Sequence, residues 1–239
     1  MIRYPIPVWS RFYGDIARKD EKILASYLGI EVREANKYYE DLYKESSFFR
    51  NLASCQEMLE QPIVRGGLMD KREAAIIYGV TRHLKVDRSV ETGVGSGLST
   101  SHILLALHHN QKGHLFSVDL PNTDAWTGAP RQMLPAGKLP GWVVPEYLKP
   151  RWTLLPGNAR IQLPELIKQL PDEIDLFLHD SLHTYEHMMW EFETLWPHLR
   201  SRGILMADDA DSNRAVQDFS KRVGRVPLLI YGLGILQKG

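Results

Sequence analysis

Cysteine is almost missing from this sequence. Cys55 is the only one in 239 residues, so no disulfide can form within the chain, and a reducing, cytoplasmic home is expected. An excess of either charge is missing too. Lysine plus arginine is 29 and aspartate plus glutamate is 29, which argues against the basic footprint that nucleic-acid binding needs. Long apolar runs are absent. The longest, Pro227 to Leu236, is too short to cross a bilayer. The first residues, MIRYPIPVWSRFYGD, lack the apolar centre of a signal peptide. There is no internal repeat and no low-complexity linker. No Gly-Lys-Ser/Thr string occurs, so a P-loop is excluded. A chain this long, 44% apolar, can bury a full core without metals or disulfides.

The elements that are present alternate. Residues 1–68, rich in aromatics and charge, read as a helical N-terminal extension. The loose helical spacing is clearest from Glu31 to Met58. This extension is expected to pack on the main domain, to act as a lid, or to support self-association into a homo-oligomer. Residues 69–239 read as the main domain. Asp70 caps a predicted helix reaching Arg82. Strands are predicted at Arg88–Thr92, His114–Asp119, Trp152–Leu155, Ile174–Leu178 and Ile204–Ala207. Helices are predicted at Ser99–His109, Pro164–Gln169, Thr184–Leu199 (broken by Gly203) and Asn213–Val223. Two closing strands fall around Gly232 or Gly234. Such alternation implies an α/β fold, a doubly wound, mostly parallel sheet with helices on both faces. Ligands of such sheets sit beyond the carboxyl ends of the strands. One stretch breaks the pattern: six prolines between Leu120 and Arg151 rule out a continuous helix or central strand. With Trp126 and Trp142 inside it, it is expected to be an ordered loop beside the site. Arg131 and Lys138 in that loop are candidates to meet an acidic acceptor.

The first strand runs into Glu91-Thr-Gly93-Val-Gly95-Ser-Gly97, and a helix opens at Ser99. Glycines in such a turn permit positive φ and close approach of a ligand to the backbone. The third glycine comes one residue too early for the dinucleotide fingerprint. That weighs against an NAD-dependent oxidoreductase, as does the acid at position 91. Glu91 instead suits a ligand carrying a positive amine. Asp119 closes the second strand, where an acid typically accepts from ribose hydroxyls.

The glycine turn with an acid after the second strand resembles the class I S-adenosylmethionine-dependent methyltransferases, from about Leu68 to the C-terminus. That resemblance implies a seven-stranded Rossmann-like sheet. It implies that the turn around Gly93, Gly95 and Gly97, with Ser99 after it, holds the methionine part of S-adenosyl-L-methionine. Asp119 would hold the ribose. Asn158 and Ala159 stand where the family often has Gly-Asp-Ala near the adenine.

Asp180 follows the fourth strand, and Asp208 and Asp209 follow the fifth. Adjacent parallel strands bring these acids together, and three carboxylates at one point repel unless a cation neutralises them. Oxygen ligands favour Mg²⁺ or another hard divalent cation. His183, three residues after Asp180, suits general-base work. The layout is similar to metal-dependent O-methyltransferases, and Asp180-Ser-Leu-His183 is closest to the sugar and natural-product branch. That implies Mg²⁺-assisted O-methylation of a hydroxylated small molecule, with Asp180 also beside the methyl donor. A catechol-type enzyme with a phenolic acceptor is the alternative. No nucleic-acid or membrane partner is expected.

Overall fold

A computed structural model describes residues 21–55, 69–120, 134–135, 137–170 and 173–239. Trp126, Arg131, residues 1–20 and the last part of the predicted Glu31–Met58 helix lie outside the described residues. Helix α1 includes residues 21–28. It is followed by α2 (Val32–Lys44), α3 (Ser46–Ser54) and α4 (Lys71–Leu84). Then come β1 (Arg88–Thr92), α5 (Leu98–Asn110), β2 (His114–Asp119), β3 (Trp152–Pro156) and α6 (Ala159–Gln169). The chain closes with β4 (Ile174–His179), α7 (Tyr185–Leu195), β5 (Leu199–Ala207), α8 (Ala215–Arg222), β6 (Leu228–Ile230) and β7 (Leu233–Gln237).

The seven strands form one sheet in the order β3-β2-β1-β4-β5-β7-β6. The first five are mutually parallel, and β7 runs antiparallel to both β5 and β6. The connection from β1 goes one way, to β2 and β3, before the chain returns to place β4 on β1's other side. Strand order therefore reverses between β1 and β4, and a crevice opens at their carboxyl ends. Register brings the strand ends level. Thr92 pairs with Val118 and with His179, and His179 pairs with Ala207. The residues that follow, Gly93, Asp119, Asp180 and Asp208, consequently emerge together.

Two apolar layers enclose the sheet. One joins α4 and α5 to Leu24, Tyr39, Leu42 and Phe48 of the N-terminal helices. The other joins α6, α7 and α8 through Leu163, Met188, Phe192 and Phe219. Each large side chain buried this way contributes roughly 1.5–3 kcal/mol. Residues 21–55 are thus built into the core. The Tyr27 hydroxyl donates to the Ile235 carbonyl at 2.9 Å and accepts from the Gln237 amide at 3.1 Å, tying α1 to β7.

Several boundaries differ from the sequence reading. Helix α4 starts as expected, because Asp70 and Glu73 form a reciprocal capping box. Helix α6 starts at Ala159, not Pro164, because the Asn158 side chain accepts from the Arg160 amide at 2.9 Å. Helix α7 stops at Leu195, short of Leu199. Pro197, without an N–H, turns the chain into a 3₁₀ segment over Trp196–His198. β5 then starts at Leu199, with a register shift against β4 between Ile174 and Leu176. Gly203 lies inside a strand and not at a helix break.

Candidate active site

The glycine turn begins where β1 ends. Gly93, Gly95 and Gly97 all have positive φ, at 80°, 50° and 96°. At Gly93 the need is steric as well: a β-carbon there would stand 1.8 Å from the Asp180 carbonyl oxygen. The Asp180 amide donates to the Thr92 carbonyl at 2.8 Å, so the ends of β1 and β4 are stitched together. The later part of the proline-rich stretch lies against this turn. The Gly141 amide donates to Gly95 at 3.0 Å and the Val143 amide to Ser96 at 3.1 Å. Asn51 of α3 braces the same segment, donating to the Val143 carbonyl at 2.8 Å. Lys138 lies 5.4 Å from the centre of the Trp142 ring.

The two acids of this half are both occupied by the protein itself. Glu91 is fully buried. Its carboxylate accepts from Ser99 Oγ at 2.7 Å, Thr100 Oγ1 at 2.8 Å and Ser117 Oγ at 2.7 Å. Burial raises its pKa to about 7, against the pull of those three hydroxyls. Glu91 and Ser99 both anchor the first turn of α5 beneath the glycines. Ser117 and Thr100, which carry no motif signal in the sequence, complete that anchor. Asp119 reaches back over the turn. Its Oδ2 accepts from the Val94 amide at 3.0 Å and the Gly95 amide at 2.9 Å, and its Oδ1 from the Leu120 amide at 2.7 Å. Asn158 caps α6, with Ala159 as its first helical residue.

The other half lies at the ends of β4 and β5. Asp180, His183 and Asp208 each offer a donor atom within 4.8 Å of the others. Burial raises the pKa of Asp180 well above the usual carboxylate range, and the nearby Asp208 charge raises it further. Burial raises Asp208 as well. A third acid stands nearby: Glu73, at the start of α4, is 5% exposed. Its pKa is pushed up to about 8, first by burial and then by the Asp208 charge.

Asp209 is not part of this cluster. Its backbone is left-handed, with a φ of 48°, and its side chain is 59% exposed. Of the expected trio, Asp180 and Asp208 lie in the group and Asp209 stands beside it. Asp209 contacts the histidine instead, with Oδ2 at 3.0 Å from His183 Nδ1. His183 Nε2 then faces Asp180 Oδ1 at 3.8 Å and, among the described residues, has no hydrogen-bond partner. Burial, and next the neighbouring His179, lowers the His183 pKa. With Asp209 beside Nδ1, the imidazole turns Nε2 toward the acids.

A protein-family model described as a methyltransferase domain matches residues 90–210, from β1 to just beyond the acids that follow β5. No curated protein matches the chain. Solved structures do. An O-methyltransferase from Bacillus cereus, in complex with SAH, is 12% identical, with 81% of this chain and 91% of that one covered and a TM-score of 0.57. TomG from Streptomyces achromogenes, an O-methyltransferase of tomaymycin synthesis in complex with SAM, is 15% identical, with 82% and 91% covered and a TM-score of 0.56. The SAH-bound methyltransferase PaMTH1 from Podospora anserina is 14% identical, with 81% and 88% covered and a TM-score of 0.57. At such identities the likeness is one of fold.

Proposed function

This chain belongs to the methyltransferase-domain family, and we propose that it transfers the methyl group of S-adenosylmethionine to a hydroxyl oxygen of a small molecule with the help of a divalent cation, Mg²⁺ first among candidates. The observation that carries this reading is the convergence of Asp180, His183 and Asp208 within 4.8 Å, beside a glycine turn of the kind that admits a ligand to the backbone. Asp180, raised in proton affinity by burial and by the Asp208 charge, and Asp208, raised by burial, form a donor set suited to a hard cation.

The donor half would take the cofactor. The turn of residues 93–97, held in shape from below by Glu91 and Ser99, would border its methionine part. Asp119 would exchange its amide contacts for ribose hydroxyls. Asn158 and Ala159, where β3 gives way to α6, border the adenine end. In the other half, Asp180 and Asp208 would hold the cation, whose Lewis acidity lowers the pKa of a neighbouring hydroxyl. His183 Nε2 accepts the proton of the attacking hydroxyl as the O–CH₃ bond forms and the S–CH₃ bond breaks, leaving S-adenosylhomocysteine. Asp209, 3.0 Å from Nδ1, would favour the tautomer that leaves Nε2 as the acceptor. A second role for His183, as third ligand, is favoured by its membership of the same cluster.

Leu182 and Tyr185, 56% and 37% exposed, flank His183 and would give the acceptor an apolar border. A sugar-bearing or other natural-product acceptor fits the sequence pattern, and TomG, of the same fold, acts in natural-product synthesis. The test is methyl transfer from methyl-labelled S-adenosylmethionine to panels of glycosides and phenols, with Mg²⁺ or with EDTA. Turnover that persists in EDTA ends the cation's role, and binding of NAD in place of the methyl donor ends the reading altogether. His183→Ala separates its two roles. A ligand's loss weakens Mn²⁺ binding, whereas a base's loss spares binding and lowers kcat.

A further inference from the structure

Glu191 lies in the second half of α7 with no exposed surface at all. A carboxylate buried that completely inside an apolar layer is costly unless every lone pair is used. Here they are all used. Oε2 accepts from Thr92 Oγ1 at 2.6 Å and from His179 Nδ1 at 2.6 Å, and Oε1 accepts from Ser181 Oγ at 2.9 Å and from His187 Nε2 at 2.9 Å. The hydrogen bonds from His179 and His187 outweigh burial and hold its pKa down at about 2, so it stays charged.

The identity of the four donors is what matters. His179 is the residue before Asp180, and Ser181 is the residue after it. Thr92 is the residue before Gly93, and its carbonyl receives the Asp180 amide at 2.8 Å. His179 also packs edge-on against the His183 ring, centroids 5.4 Å apart. Two ionised carboxylates at the positions of Asp180 and Asp208 would repel, and a restraint on the short turn that carries Asp180 keeps it against Asp208. We propose that Glu191 is a positioning residue that clamps the turn on both sides of Asp180 and thereby holds Asp180 and His183 against Asp208. This rests on the reading of that cluster as functional, but the clamp acts whether or not a cation is present. The donor half meets Glu191 only at Thr92, and the turn that follows has its own anchors, Glu91 and Asp119.

The test compares the full-length wild type with Glu191→Gln, Glu191→Asp and Ser181→Ala. The amide that Glu191→Gln introduces turns one acceptor into a donor facing donors, at nearly unchanged volume. In Glu191→Gln, amide hydrogen exchange over residues 180–184 should rise at least about tenfold, while the central strands stay protected. The Kd for S-adenosylhomocysteine should remain within about threefold of wild type, since its site is built elsewhere. The kcat should fall about 100-fold at unchanged KM for the methyl donor, the scale of an ångström's misplacement. Glu191→Asp, which restores the charge and the acceptors, should recover part of that loss. Ser181→Ala removes one clamp and should cost about tenfold in kcat, the lower end for a hydrogen bond to a charged group. It carries the test if Glu191→Gln does not fold. Wild-type exchange at 180–184, or exchange that rises evenly across the sheet together with lost S-adenosylhomocysteine binding, overturns the proposal. If the wild type ignores divalent cations, the cation reading fails, and the exchange comparison still decides the clamp.

Discussion

The two halves of the crevice hold their acids in opposite ways. At the ends of β1 and β2, Glu91 and Asp119 point at donors of the protein itself, three hydroxyls for one and three backbone amides for the other. At the ends of β4 and β5, Asp180 and Asp208 point at each other and at Nε2 of His183. One half is electrostatically complete without a ligand. The other carries unbalanced charge in a partly buried place, the arrangement expected where a cation or a developing charge is to be met. The lesson is that proximity of carboxylates does not by itself mark a site. What distinguishes the halves is whether the surrounding donors are already supplied.

The harshest way to break the comparison is at the residue that joins the halves. Gly93→Ala places a β-carbon 1.8 Å from the Asp180 carbonyl oxygen at a φ of 80°. Neither backbone can yield without pulling β1 from β4. A loss on the order of 4 kcal/mol is expected, and both S-adenosylhomocysteine and Mn²⁺ binding should go together. Denaturant titration and calorimetry check it. A variant of wild-type stability would mean the turn is held far less firmly than its hydrogen bonds indicate.

A milder pair of substitutions should have effects of opposite sign. Asp119→Asn loses charge-assisted bonds to three amides and should cost about 1–2 kcal/mol of stability. Asp180→Asn removes a charge facing Asp208 and should stabilise the cation-free protein by about 1 kcal/mol, while lowering Mg²⁺-dependent turnover about 100-fold. Melting in EDTA, with turnover measured alongside, decides the matter. The same sign for both would erase the distinction between the halves.

How much of this can be read from the sequence follows the range of the signal. β1 and β2 come out at their observed bounds because each is a short segment with β-formers at its centre, closed by Gly93 in one case and by Leu120-Pro121 in the other. The end of α7 does not, because Gly203 looks like the breaker when Pro197, earlier and lacking an N–H, is the one that acts. Asp180, His183 and Asp208 are legible because strand ends in a parallel sheet converge. The left-handed, exposed placement of Asp209 is not, since nothing local announces it. Glu191 and Glu73 escape for a different reason: they reach the site from helices. Yet Glu191 carries a signal. It falls three residues after Met188 and four before Leu195, on the apolar stripe of α7, where a lone carboxylate needs partners.

The smallest effect is the pH dependence that Glu73 imposes. Its folded pKa of about 8 lies above the ordinary glutamate value, so between the two the folded chain holds a proton that the unfolded chain has released. Stability from this residue is therefore full below about pH 4.3, falls as pH rises, and is gone above about pH 8. Glu191, pulled to about 2, works in reverse, losing its contribution only as pH drops below the glutamate range. Each tenfold change in proton affinity is worth about 1.4 kcal/mol at most. Water and backbone shifts around a charged Glu73 reduce this, and about 0.5 kcal/mol per pH unit is expected. Glu73→Gln should flatten the melting temperature between pH 5 and pH 8 in EDTA while leaving the acid limb below pH 4 in place. If the slope survives the substitution, the proton belongs to the Asp180–Asp208 pair alone. The unbalanced charge of that half would then end at β4 and β5 without reaching α4.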